Sequence, residues 1–176
     1  MNNISFHITD ITANSIRAGA TWIDLRLVEK PGDRIVIVAD NGCGMDAETL
    51  HQVTNPFYTT RTTRKVGLGL PFLKQNVEQT GGNFQIQSKP GEGTRITAVF
   101  RSDHIDCPPW GDLAGTIALL ITGNPDVDIR FRYVADTHEF AISSQEIMEA
   151  LDGIPLSHPQ VSAWLTELIR ENVSVG

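Results

Sequence analysis

The chain has 176 residues, 40% hydrophobic and 20% charged, with 14 Lys+Arg, 21 Asp+Glu and two cysteines. That length supports one compact domain, or one with a small appendage, and a core that needs no disulfide framework; Cys43 and Cys107 also lack the CxxC spacing of a zinc site. A net charge of −7 excludes nucleic acid or an anionic membrane as the obvious partner.

The longest aliphatic runs, Ile35–Ala39 and Ile117–Ile121, are far short of a membrane span, and no basic-then-apolar N-terminus is present, so the expected setting is soluble and cytoplasmic. The charge is unevenly divided. Residues 1–101 carry 11 Lys+Arg and 9 Asp+Glu, whereas 102–176 carry 3 and 12. The break falls in Asp103–Pro109, whose paired prolines read as a linker, and the chain divides there into 1–102 and 103–176.

In chain order, Ile4, Ile8 and Ile11, continued by Ser15 and Ala18, recur at helical spacing, and Asp10, Asn14 and Arg17 share another face. Gly19 is the stop. Trp22–Val28 alternates as a half-buried strand, and Ile35–Ala39 reads as a central one. It ends at Asp40 and the glycine-broken loop DNGCGMD, 40–46. A short helix over 46–53 has Asp46 as N-cap, and the polar, basic stretch 54–66 reads as a loop.

Gly67–Leu68–Gly69–Leu70 opens a helix with Pro71 in its first turn, closed by Gly81–Gly82. Strands 84–88 and 94–100 follow around the turn 89–93, giving an α/β sandwich with helices over one face of the sheet. The acidic part reads as a helix over 111–122, a hairpin of 127–134 and 138–142, a helix capped by Ser143 or Ser144, and a last helix over 159–172. Such a unit is able to pack on the sheet.

Three features converge on a nucleotide. The face presenting Asp10 and Asn14 offers a carboxamide oxygen suited to a hard cation, with a carboxylate four residues earlier to orient a water. Taken alone, such a face is ordinarily just solvated. Asp40, ending a buried strand before two glycines, can accept from an exocyclic amine while the glycines admit a planar base; in isolation it also reads as a tight turn. Gly67-x-Gly69 opening a helix, preceded by Arg61, Arg64 and Lys65, favours phosphate. A lone GxG is weak, but the three in this order are specific.

Residues 7–101 resemble the GHKL, or Bergerat-fold, ATPase superfamily of gyrase, the ninety-kilodalton heat-shock chaperones, histidine kinases and mismatch-repair ATPases. DITANSIRAGAT (10–21) is similar to the N box and DNGCGMD (40–46) to the G1 box. NPFYTTR (55–61) and GLGLPFLKQNVEQTGGNFQIQSKPGEGTRITAVF (67–100) resemble the F and G2 boxes of histidine-kinase catalytic domains. The implied fold is α+β, a two-layer α/β sandwich, with a small acidic α/β C-terminal extension whose family is not recognised.

The resemblance implies ATP and Mg²⁺ as cofactors. Asn14 would ligate Mg²⁺, and Asp40 would bind the adenine amino group in a pocket shaped by Gly42 and Gly44. Gly67, Leu68, Gly69 and Leu70 would lie along the phosphates, Arg61 and Lys65 would reach the terminal one, and Thr94 would help anchor Asp40. Phe57 and Tyr58 hold the F-box aromatic positions, where lid packing competes with base contact. Asp10 is the general-base candidate, one methylene shorter than the Glu of the ATPase branches.

The expected reading has no phosphoacceptor His on a dimerisation helix in these residues: His7 lacks that signature's flanking residues and reads as a helix-start residue. The expected function is a Mg-dependent kinase or ATPase acting on a separate, unidentified protein partner, with no role for nucleic acid or membrane. The alternatives are a non-catalytic ATP/ADP sensor and a serine kinase of the anti-sigma type. His104, Asp106 and Cys107 in the linker read as chance rather than a metal site, and Trp110 as a hydrophobic corner.

Overall fold

The structure, a computed structural model, describes residues 3–55 and 69–173. In chain order the elements are α1 (Ile4–Arg17), β1 (Trp22–Lys30), β2 (Asp33–Asp40), α2 (Ala47–Val53), α3 (Gly69–Gln79), β3 (Asn83–Lys89), β4 (Gly93–Arg101), α4 (Leu113–Gly123), β5 (Asp128–Ala135), β6 (His138–Ser143), α5 (Ser144–Leu151) and α6 (Pro159–Asn172). The fold is mixed α/β, as expected. The predicted segment 54–66 lies largely outside the described residues.

All six strands form one sheet in the order β3-β4-β2-β1-β5-β6. Neighbours are antiparallel except β1 and β5, which pair in parallel from Trp22↔Asp128 to Val28↔Val134. The sheet therefore runs across the change of charge at residue 103: the acidic part contributes two strands to the same sheet as the first 101 residues. The β1–β2 hairpin closes on Pro31–Gly32, with Lys30 paired to Asp33 and Gly32 at φ +83°. Proline followed by a positive-φ glycine is the pairing a type II turn favours.

Strand alternation fixes the core. Ile23, Leu25 and Leu27 of β1, Val36 and Val38 of β2, and Ile129, Phe131 and Tyr133 of β5 point to one face and are buried. Ile8 and Ile11 of α1, Leu73 and Val77 of α3, and Ile117 and Ile121 of α4 close over that face. Each such side chain contributes about 1.5–3 kcal/mol of transfer free energy.

The start of α1 is held by the segment that follows β4. Asn3 caps it through Phe6 N–H at 2.7 Å, Ile4 and Ser5 N–H donate to Pro109 and Trp110 carbonyls at 2.8 and 2.9 Å, and the Ser5 hydroxyl reaches the same Trp110 carbonyl. Those donors would otherwise be unpaired. Trp110 is buried, with Nε1–H donating to Glu29 at 2.6 Å, so it does fill a corner. Among the described residues no group of three His, Cys, Asp or Glu could hold a metal, and no helix is long and apolar enough to cross a membrane.

Candidate functional site

The site is built around α1. Its residue Ser15, on the apolar stripe, donates its hydroxyl to Asp40 Oδ2 at 2.6 Å, joining the middle of the helix to the end of β2. The other carboxylate oxygen accepts Gly42 N–H at 2.8 Å. Asp40 is 8% exposed, so both donors matter. A carboxylate has about four acceptor positions, and these two donors leave capacity for an incoming amine.

The loop after Asp40 is shaped by what it touches. A side chain at Gly42 would come within 2.8 Å of Ala18 Cβ, and Cys43 N–H donates to the Ala18 carbonyl at 2.9 Å. Gly44 has φ +71°, and a Cβ there would lie 1.9 Å from the Lys89 carbonyl oxygen. Gly93 has φ +115° and would collide with the Asp40 carbonyl oxygen at 2.0 Å. The loop thus lies directly on the β3–β4 turn, an approach only glycine permits.

Thr94 stands across from Asp40 in the β2–β4 ladder, and its hydroxyl pairs with Ser88 at 2.8 Å. Ser88 also accepts Met45 N–H and donates to the Gly93 carbonyl. Asn41 ties the loop to β1: its Oδ1 accepts Thr21 and Trp22 N–H, and its Nδ2 donates to Thr21 Oγ1.

On the second face of α1, Asn14 Oδ1 accepts from the Arg17 guanidinium. Asp10 lies one turn earlier, its carboxyl raised above the ordinary carboxylate value by burial while Arg17 pulls the other way. Gly69, the first residue of α3, faces it; a Cβ at Gly69 would be 3.5 Å from Asp10 Cβ and 3.6 Å from its Oδ2. Leu70 is buried in the core. Asp10, Asn14, Asp40, Gly42, Gly44, Gly69 and Thr94 therefore surround α1 and the end of β2. Arg61, Lys65, Gly67 and Leu68, with Phe57, Tyr58 and Arg64, lie outside the described residues.

His7, expected to serve only as a helix-start residue, is buried between α1 and α3 with Nε2 paired to Asn76 Nδ2 at 2.7 Å. Its Nδ1 has no partner among the described residues, and burial pushes its pKa below the ordinary imidazole value. Ser15, Asn41 and Ser88 were not singled out from the sequence as site residues. A hydroxyl in the apolar stripe of α1 was the one available signal for Ser15.

Residues 4–104 match the family described as histidine kinase-, DNA gyrase B- and HSP90-like ATPase. Among curated relatives, the sensor histidine kinase ZraS of Klebsiella oxytoca is 42% identical over 62 residues, 35% of this chain and 13% of that protein. The sensor kinase CckA of Brucella abortus is 30% identical over 172 aligned residues, covering 83% of this chain and 18% of its own length. A sensor protein of Shewanella frigidimarina is 45% identical over 89 residues, 50% of this chain and 13% of that one. The chain thus spans under a fifth of the length of these relatives. A solved N-terminal domain of a DNA repair protein shares the fold over 81% of this chain and 52% of that one, with a TM-score of 0.54 and 11% identity.

Proposed function

Since this chain belongs to the histidine kinase-, DNA gyrase B- and HSP90-like ATPase family, we propose that its histidine-kinase-like ATP-binding domain binds ATP with Mg²⁺ and serves a kinase or ATPase whose phosphoacceptor or effector is a separate polypeptide. The observation that carries the reading is the Asp40 carboxylate, buried and held by Ser15 and Gly42 with acceptor capacity to spare. There it would take the adenine amino group, with Gly42 and Gly44 admitting the ring and Thr94 bracing the opposite strand.

The donor set fits a metal that arrives with the phosphates. Asn14 offers one hard carboxamide oxygen, now held by Arg17, and no three acidic, His or Cys residues cluster among the described residues. When bound, Mg²⁺ would neutralise phosphate charge. The first N–H groups of α3, from Gly69 and Leu70 and continuing the Gly67–Leu68 stretch, would face the phosphates, with Arg61 and Lys65 reaching the terminal one. Asp10, its carboxyl raised above the ordinary carboxylate value by burial, would hold or receive a proton beside them.

Titration calorimetry of ATP–Mg²⁺ into wild type, Asp40→Asn and Asn14→Ala tests the site. Binding weakened about a hundredfold or more is expected in both, and wild-type affinity in both would overturn the assignment. One observation favours the sensor reading: Arg17 engages Asn14 directly and acts on Asp10, so both groups assigned to chemistry share one cation. Incubation with γ-labelled ATP and cell lysate separates the two. Label on a protein band rejects the pure sensor; neither label nor released phosphate rejects the kinase or ATPase.

A further inference from the structure

The sheet face turned away from the helices is a surface of its own. A groove of about 630 Å³ crosses it from Arg95 on β4 to Ser143, Gln145 and Glu146 beyond β5, and it includes none of the candidate nucleotide residues. Four strand spacings make it about 19 Å long. Register places Ile37 and Arg26 beside each other, with Arg132 and Ala141 continuing the row, while Arg95, Ala39, Asp24 and Arg130 form the next. Ile35, Val28, Val99 and Val134 make a third, apolar row.

Four arginines thus rise around a floor of Ile37, Ala39 and Ala141. Asp24 and Asp128 hold Arg130 at 3.5 and 3.0 Å, Trp22 lies under it, and Glu139 pairs with Arg132. Arg26 and Arg95 have no carboxylate in ion-pair range among the described residues. The acidic stretch 102–176 has only three cations, and two of them, Arg130 and Arg132, line this groove.

We propose that this face docks an acidic, amphipathic helix of a partner protein. Arg26 and Arg95, without an ion-pair partner among the described residues, call for carboxylates, and the apolar floor with the third row beside the Arg26 row calls for a hydrophobic stripe. The backbone of β4, β2, β1 and β5 is already paired on both sides, so an extended peptide lying on the face would find no main-chain partners. A helix satisfies its own, and about 13 residues of it span the groove. A second copy placed face to face would set arginine rows against one another.

The test uses the full chain and a fluorescein-labelled synthetic helix of about 16 residues, with leucines at i, i+4, i+7 and i+11 and glutamates beside them. A Lys-for-Glu version, a version with two central prolines and a single-stranded DNA oligomer are the controls. The Glu helix is expected to bind, to shift the amide resonances of β1, β2 and β5, and to weaken about tenfold in Arg26→Glu and in Arg95→Glu. Arg26→Gln replaces the first variant should the reversal unfold the chain.

ATP affinity is expected to stay unchanged in these variants, which keeps this result separate from the nucleotide site. No binding up to about 1 mM, equal binding by the proline, lysine or DNA probe, or wild-type affinity in the variants overturns the proposal. So does self-association in sedimentation that Arg26→Glu abolishes, because the occupant would then be a second copy.

Discussion

Asp40 has two hydrogen bonds committed before any ligand arrives, and this gives Ser15 a part in the site through the carboxylate it holds. Asp40→Asn substitutes an amide NH₂ for one acceptor oxygen and should weaken ATP about a hundredfold, as read by calorimetry. Ser15→Ala leaves the carboxylate oxygen without its buried donor; we expect about 1–2 kcal/mol less stability and a smaller, roughly tenfold, loss of affinity. His7 gives a pH signature. Its folded-state pKa lies below the ordinary 6.5 because burial disfavours the imidazolium, so below that value the unfolded chain binds more protons than the folded one. Stability should therefore fall as pH drops from about 6.5 toward the lower folded pKa. A series of melting curves should show this acid-side slope diminished in His7→Gln relative to wild type.

Among the elements, the loop 40–45 and the β3–β4 turn form one packed unit, because Gly44 meets the Lys89 carbonyl and Gly93 the Asp40 carbonyl. Gly44→Ala or Gly93→Ala adds a methyl where backbone atoms leave no space, at positive φ. Each should cost about 3 kcal/mol or more, measured by urea unfolding, whereas Gly123→Ala, with nothing near it, should not destabilise to that degree. The elements themselves were legible: alternation marked Trp22–Val28 and Val127–Val134, caps marked Asp46 and the pair Ser143 or Ser144, of which Ser143 is the cap, and DNGCGMD marked the loop. Less was legible of what joins them. Nothing local to Ser15 says that its partner is Asp40, 25 positions on, since a hydroxyl in an apolar stripe is as compatible with an i−4 carbonyl. The role of Asn41, spanning to Thr21 and Trp22, depends on how two strand ends meet, which periodicity does not encode.

At the scale of the whole molecule, composition separates the chain at residue 103 but the packing does not. The alternating pattern of 127–134 identifies a strand without naming its neighbour, and the neighbour is β1, in parallel. Cutting after Ser102 would remove β5 from that edge, α4 from over α1, and the Pro109 and Trp110 carbonyls from the first turn of α1. The fragment 1–102 is expected to lack a sharp thermal transition and to aggregate, as scattering during a melt would register; a cooperative transition like that of the full chain would contradict this.

The same parallel pairing sets an order of events on the ribosome. About 100 residues separate β1 from its partner, and at 5–20 residues per second β1 waits roughly 5–20 s as an open edge. Asp24, Arg26, Glu29 and Lys30, charges spaced along that strand, then guard that edge against premature pairing with another nascent chain.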